Sequence, residues 1–242
     1  MNNTIPAVDK AVLMLLALSN GAKTQAELSK ELGVATSTAY RILMTLQAHR
    51  WVRKQQGGIY TLGEGVLGLT HGLSLETAIL EEAGRKVADI SRRHQIACKL
   101  SVRQGDRQLT CCRAEPSGPV ALTGQIGSTF PLIEGSVGAA LLAETSADEI
   151  DALVQACQED IPEKRHPELV HEAVREARER GTVLNMKKNR WNIVALSIPL
   201  RNRSGQVIAA LTLLGSSEDF SGGRREKWEK ILKRSIIECE QS

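Results

Sequence analysis

The sequence predicts an α+β protein with antiparallel sheets: a winged helix-turn-helix in the first third, a linker helix, then a larger domain of helices and hairpin-linked strands. Three observations predict it. A capped pair of short helices is followed at once by two strand-like runs around Gly57-Gly58. The pattern changes at Glu76, where a long amphipathic stretch begins. Beyond it, strand-like runs are joined by short turns.

Residues 8–18 read as a helix, because Val8, Ala11, Val12, Leu15 and Leu16 recur at three- and four-residue intervals. Asn20-Gly21 ends it, since both tolerate a left-handed turn. A second helix runs from Thr24 to Gly33; Thr24 and Glu27 have the spacing of a capping box. A third begins at the Thr36-Ser37-Thr38 cluster and reaches about His49. Residues 51–54 and 59–62 are strands joined by the turn Gln55-Gln56-Gly57-Gly58. Residues 63–75 form a short connecting helix. The domains are therefore set at 1–65, with 66–76 as linker helix and 77–242 as the second domain.

In that second domain residues 77–94 are an amphipathic helix. Residues 96–103 and 107–113 are strands joined at Gly105-Asp106. Pro116 to Pro119 is a turn, and 120–123 a further short strand. The Ala-rich stretch 136–144 is a buried helix. Residues 147–158 and 167–180 are helices, the second ended by Gly181. Runs at 182–186, 192–200 and 206–214 complete the sheet, and 224–240 is a closing helix.

At 242 residues and 42% hydrophobic, the chain can bury a sizeable core, built from aliphatic residues because aromatics are only 3%. Between Leu32 and Gly63 stand Arg41, Arg50, Arg53 and Lys54 with no Asp or Glu, which suits an anionic partner. No signal peptide is visible, and no run approaches the ~18 apolar residues of a membrane helix. The expectation is a cytoplasmic protein with no membrane association. Five cysteines without metal-ligand spacing predict no zinc and no disulfide framework; adjacent Cys111 and Cys112 should point to opposite faces of a strand.

The segment from Thr24 to Arg50 points to function. Its third helix turns Ala39, Ile42, Leu43 and Leu46 inward and leaves Ser37, Thr38, Arg41 and Thr45 on the other face, with Tyr40 at the flank. Two short helices about a tight turn let the second enter a major groove about 12 Å wide. Short hydroxyl donors suit phosphates and base edges, and Arg41 suits guanine or phosphate. Lys54, Gln55 and Gln56 sit at the wing tip, within reach of the backbone or minor groove. The candidate DNA-binding set is Thr24, Gln25, Thr36, Ser37, Thr38, Tyr40, Arg41, Thr45, Lys54 and Gln55.

One motif points elsewhere. Gly63-Glu64-Gly65-Val66-Leu67-Gly68 matches a dinucleotide fingerprint and follows a strand, but no βαβ unit follows it. A glycine-rich exit from the wing fits better. The five histidines, His49, His71, His94, His166 and His171, join no nucleophile motif, and neither G-x-S-x-G nor a phosphate-binding loop occurs. No catalytic residue, cofactor or metal is expected.

Taken together, the chain resembles the IclR family of bacterial transcriptional regulators over nearly its whole length. In the first domain the resemblance rests on Ala7-Val8-Asp9-Lys10-Ala11, Leu28-Ser29-Lys30-Glu31-Leu32-Gly33, Ser37-Thr38-Ala39-Tyr40-Arg41-Ile42-Leu43 and Tyr60-Thr61-Leu62-Gly63. In the second it rests on Gly127 to Ala143, Ala195-Leu196-Ser197-Ile198-Pro199-Leu200 and Gly205-Gln206-Val207-Ile208-Ala209-Ala210-Leu211-Thr212. It implies a GAF-like C-terminal domain that binds a small metabolite, often a carboxylate. It also implies dimers, commonly paired into tetramers, on palindromic double-stranded operators. Carried over by position, the effector site is Leu122, Ser136, Val137, Asn185, Ile193, Ala195, Thr212 and Leu214. Ser136 and Val137 start the buried helix, where free N–H groups suit a carboxylate.

The chain departs from the family where an acidic cluster is common and Asn185-Met186-Lys187-Lys188 stands. Ala195 replaces a frequent Cys, and Ile133 a frequent His. Loss of acid and gain of Lys187 and Lys188 favour an anionic effector if the lysines face the site. The functional reading is a ligand-controlled repressor of a catabolic operon. Activation by the same architecture is the alternative; an enzyme on a helix-turn-helix scaffold and a sequence-insensitive RNA-binding or architectural protein are the others.

Overall fold

Proline at the first position of a helix costs no hydrogen bond, and helix α1, Pro6–Ser19, starts that way. The structure, a computed structural model, describes residues 5–70, 76–116, 121–185 and 193–240. The chain divides into two compact units, Met1–Ser74 and Leu75–Ser242.

In the first unit α1 is followed by β1 (Lys23–Thr24), α2 (Gln25–Glu31), α3 (Thr36–Ala48), β2 (Val52–Lys54) and β3 (Ile59–Leu62). The capping box is formed: Glu27 N–H donates to the Thr24 hydroxyl, and Thr24 N–H donates to the Glu27 carboxylate at 2.7 Å. The core joins Met14, Ala17 and Leu18 of α1 to Leu28, Ala39, Leu43, Leu46, Val52 and Tyr60. Of the apolar set that marked α1, Val8, Val12 and Leu16 are exposed, while Ala11 and Leu15 are half-buried. This helix is apolar on two sides, and periodicity alone does not say which side meets the core.

The sheet order is β1-β3-β2; the two-residue β1, which the sequence reading missed, pairs Thr24 with Ile59. Gly57 and Gly58 turn the wing with φ of 79° and 75°, values open to glycine. A 3₁₀ turn at Glu64–Val66 and the short helix α4 (Leu67–Thr70) occupy part of the expected connecting helix; its remainder, 71–75, lies outside the described residues.

The second unit holds α5 (Glu76–His94), β4 (Ala97–Gln104), β5 (Arg107–Ala114), β6 (Thr129–Pro131), α6 (Gly135–Leu141), α7 (Ala147–Ala156), α8 (Pro162–Arg165), α9 (Pro167–Arg180), β7 (Val183–Asn185), β8 (Ile193–Arg201), β9 (Val207–Ser216) and α10 (Arg224–Glu240). Its six strands are ordered β6-β5-β4-β9-β8-β7, every neighbouring pair antiparallel. Alternation assigns the two faces. Cys98, Leu100, Leu196, Ile198, Leu211 and Leu213 share one core with Val87 and Ile90 of α5 and with Trp228 and Leu232 of α10. Behind the opposite face, α6, α7 and α9 pool Val137, Ala140, Ile150, Val170 and Val174 with Ala210 of β9. Gly181 closes α9 in the left-handed conformation, as its position predicts.

Two expectations for this unit need correction. Residues 121–123 are not a strand: Leu122 and Thr123 give their N–H groups to the Glu115 carboxylate at 3.2 and 2.8 Å, so a side chain meets the donors that a ladder would use. The strand in this region is β6, further on, which pairs with β5. The buried helix ends at Leu141 rather than at Glu144, and Arg178 donates to the carbonyls of Ala143 and Thr145 at 2.7 and 2.5 Å just beyond it. Short α8 and a 3₁₀ turn at Ser217–Phe220 were not foreseen. Most of the turn expected at Pro116 to Pro119, and Val120, lie outside the described residues.

Candidate functional site

The helix pair of the first unit sets one face of α3 free. Gln25 reaches across from α2 and donates its side-chain N–H to the Thr36 carbonyl at 3.0 Å, fixing the start of α3. No side chain caps that start, and the positive end of the helix dipole lies there. Ser37, Tyr40, Arg41 and Thr45 are exposed along α3, with Thr36 exposed and Thr38 half-buried beside them. Thr45 gives its hydroxyl back to the Arg41 carbonyl at 2.9 Å. Thr24 is committed locally, with both its N–H and its hydroxyl directed at Glu27. Lys54 and Gln55 are exposed at the wing, the Lys54 ammonium 5.7 Å from the Tyr60 ring.

Arg41, Arg50, Arg53 and Lys54 are all exposed, and none forms an ion pair among the described residues. Their charge is not neutralised, as a phosphate-facing surface requires. Two of the three fingerprint-like glycines have a packing role. A Cβ on Gly63 would stand 2.3 Å from the Arg50 carbonyl oxygen, and one on Gly65 would stand 2.6 Å from that of His49. The chain leaving the wing lies directly against the end of α3, and no phosphate is needed to explain the motif.

In the second unit the effector candidates fall on the sheet face nearest α6. Asn185, Ala195 and Leu214 are paired in one row across β7, β8 and β9, which continues to Ala97 of β4. The next row runs Val183, Ser197, Thr212, Lys99 and Arg113. Ser136 joins that row: the buried Ser197 hydroxyl donates to Ser136 at 3.0 Å and lies 2.9 Å from the Thr212 hydroxyl. Val137 is buried beside Ser136. Ile193 lies at the end of β8, opposite Ser216, and Leu122 in the loop held by Glu115. Gly135 N–H is taken by the Glu163 carboxylate at 3.3 Å. Lys187 and Lys188 lie outside the described residues.

A cavity of about 380 Å³ opens on the other flank of α6, toward α9. Ser136 and Asn185 line it; the other six effector candidates do not. Glu163, Glu172 and Glu176 line it too, a poor setting for an anion. The sheet face has the opposite character. Lys99 is buried there with its ammonium 5.4 Å from the Phe130 ring, and burial pushes its pKa down, opposed by the Glu134 carboxylate. Burial, and then the charge of Glu163, push Glu134 up. Lys99 and Ser197 were missed in the sequence. The available signal was a lone lysine at an alternate position in the run Ile96 to Val102.

Nucleophilic chemistry has little support. Burial raises the thiol pKa of Cys98, and desolvation of the sulfur raises that of Cys111 to about 11 although the residue as a whole is exposed, so both stay protonated. Cys111 is the extra residue at a register shift between β4 and β5, Cys112 pairs with Leu100, and the two thiols are free.

Residues 7–56 match the model of the IclR helix-turn-helix domain, and residues 73–237 that of the bacterial transcriptional regulator IclR C-terminal domain. The chain belongs to the IclR family. This IclR-family regulator is 26% identical over 216 residues to the HTH-type transcriptional regulator XynR of Escherichia coli, covering 86% of this chain and 85% of that protein. The HTH-type transcriptional repressor AllR of Escherichia coli is 23% identical over 219 residues, 88% of this chain and 80% of that one. Among solved structures, the Thermotoga maritima IclR aligns over 98% of both chains with a TM-score of 0.68 at 18% identity. An IclR homolog from Microbacterium hydrocarbonoxydans, complexed with 4-hydroxybenzoate, aligns over 96% of this chain and 97% of that one with a TM-score of 0.69 at 18% identity. The helix-turn-helix and the antiparallel effector domain are those of this family. Among the described residues no helix is long and apolar enough to cross a membrane.

Proposed function

We propose that this chain represses a catabolic operon. It binds a palindromic operator as a homodimer or a pair of dimers, and releases it when a small organic acid occupies the α6-side face of the C-terminal sheet. The observation that carries the DNA reading is the outer face of α3 with the wing beside it: exposed Ser37, Tyr40, Arg41 and Thr45, and four cations that form no ion pair among the described residues, with no Asp or Glu between Leu32 and Gly63. Thr36, Thr38, Lys54 and Gln55 complete the contact surface in this reading. Thr24 and Gln25 act by capping α2 and fixing the start of α3. Residues 1–65 bind DNA, 66–76 link, and 77–242 sense the ligand and associate.

The repressor sense is supported by AllR, which is named a repressor. The acid is supported by the relative complexed with 4-hydroxybenzoate and by a buried cation on the sheet face. Ser136, Val137, Asn185, Ile193, Ala195, Thr212, Leu214 and Leu122 are the proposed ligand surface. Association is supported by the exposed apolar stripe Val8, Val12 and Leu16 on α1, which a second copy would cover. The role is regulatory rather than enzymatic, and its place is the cytoplasm.

Half-sites on one duplex face lie about 34–36 Å apart per turn. A ligand that changes the spacing of two recognition helices therefore disfavours simultaneous docking. The test is DNase footprinting of the region upstream of the chain's own gene, with and without organic acids. A protected palindrome that is lost on adding acid is expected. No protected site under any condition would sink the proposal.

A further inference from the structure

We propose that Lys99 is the anion anchor of this effector site, seating the ligand's carboxylate against β4 and β5 with help from the hydroxyls of Ser101 and Thr110. The inference rests on the reading above that the ligand binds on the α6 side of the sheet. It deepens that reading by assigning the residue that selects for charge.

Among the described residues two buried hydroxyls on that face lack a hydrogen-bond partner, and beside them stands a buried lysine whose one close contact is the Phe130 ring. Lys99 is 6% exposed, and its ammonium makes no hydrogen bond or ion pair among the described residues. The hydroxyls of Ser101 and Thr110, each in a residue 1% exposed, are buried without a hydrogen-bond partner among the described residues. They are neighbours. Ser101 pairs directly with Thr110 across β4 and β5, and Lys99 lies two residues from Ser101 on the same face. Directly paired side chains stand about 4.5–5.5 Å apart at Cβ.

Burying one such group unpaired is costly, and burying an unpaired charge costs most. In native proteins unsatisfied buried groups are few, and a cluster of them marks a site where something else supplies the bonds. All three groups here can donate. What the cluster lacks is a set of acceptor oxygens with negative charge, and a carboxylate provides both. Arg113, paired with Lys99 across the strands, adds a second positive charge; it donates to the Thr123 carbonyl at 3.2 Å. The nearby carboxylates are Glu115, engaged by Leu122 and Thr123, and Glu134, whose charge acts on Lys99 from beyond ion-pair distance. Next to Lys99 are the Phe130 ring and the apolar row of Ala97, Leu214 and Ala195. That combination fits a monocarboxylate with a short apolar or aromatic body.

A purely structural lysine would be ion-paired, and its removal would destabilise the fold. The two roles therefore part in one experiment on the full chain. Binding of acetate, pyruvate, benzoate and 4-hydroxybenzoate is measured by calorimetry and thermal shift for wild type, Lys99→Met and Thr110→Val, with benzamide as the neutral control. Wild type should bind one or more of the acids and not benzamide. Lys99→Met should bind the same acid about 10–100-fold more weakly, yet melt without ligand at the wild-type temperature or higher, because it removes an uncompensated charge. Thr110→Val, a milder change, should weaken the acid severalfold. Equal acid binding by wild type and Lys99→Met overturns the Lys99 assignment while leaving the effector site standing. Equal binding of benzoate and benzamide overturns the anion selectivity. A wild type that binds none of the acids overturns both readings.

Discussion

Ser197 of β8 donates its hydroxyl hydrogen to Ser136 in the first turn of α6 at 3.0 Å, and both side chains are fully buried. Thr212 of β9 stands 2.9 Å from the same Ser197 oxygen, so three hydroxyls bridge helix and sheet. A ligand on this face meets a contact that already couples α6 to two strands.

Ser197→Ala removes the middle of that bridge and leaves Ser136 and Thr212 buried without it. The expected cost is about 1–3 kcal/mol of stability, read by urea unfolding followed by circular dichroism. Ser136→Ala combined with Ser197→Ala should cost less than the sum of the single changes, because the second removes a group already orphaned. Strict additivity would show that the two hydroxyls do not interact in solution.

Gly63→Ala places a methyl group 2.3 Å from the Arg50 carbonyl, whereas a Cβ on Gly68 meets open space. Gly63→Ala should therefore destabilise the first unit by more than about 1 kcal/mol, and Gly68→Ala should stay within about 0.5 kcal/mol. Two equally harmless substitutions would show that close packing is not what the first glycine of this motif provides.

Much of the architecture was legible because it is written in local signals. The Thr24–Glu27 box, the Gly57-Gly58 turn and the Gly181 cap each mark a boundary by short-range chemistry. What stayed hidden depends on distant partners. Two-residue β1 exists because β3 lies beside it, and residues 121–123 are not a strand because Glu115 takes their N–H groups. The face of α1 that is buried, through Met14, Ala17 and Leu18, is chosen by the helices it meets. In the proposed effector site, the family resemblance grouped Asn185, Ala195, Thr212 and Leu214. The cation paired across from Thr212 was missed because its significance lies in its burial, and a lone lysine in a strand shows no burial until the sheet is assembled.

Lys99 also gives a pH signature. Burial holds its folded-state pKa below the unfolded value of ~10.4. Between those two values the unfolded chain binds the extra proton, so stability rises with pH there. Relative to Lys99→Met, wild type should gain stability as pH rises through Lys99's lowered value, with no such gain in more acidic solution. Glu134 opposes the shift and Arg113 faces the same row, so the comparison is made at fixed ionic strength. A pH-independent difference between the two proteins would contradict the burial of this ammonium without an ion pair.

Arg41→Ala should weaken operator binding by about 1–3 kcal/mol, with relaxed specificity at one position of each half-site. Affinity measured over a range of salt concentrations separates this from a phosphate contact, whose loss is uniform across sequences and makes the salt dependence shallower. Unchanged affinity at every salt concentration would remove Arg41 from the reading face.

In the proposed function, DNA and an organic acid compete through one conformational equilibrium. Its most direct measurement is operator affinity by fluorescence anisotropy with and without saturating acid, paired with acid affinity with and without saturating operator. The acid is expected to weaken operator binding by roughly 5–150-fold, and the operator to weaken acid binding by the same factor. An acid that binds the protein while leaving operator affinity unchanged would contradict it.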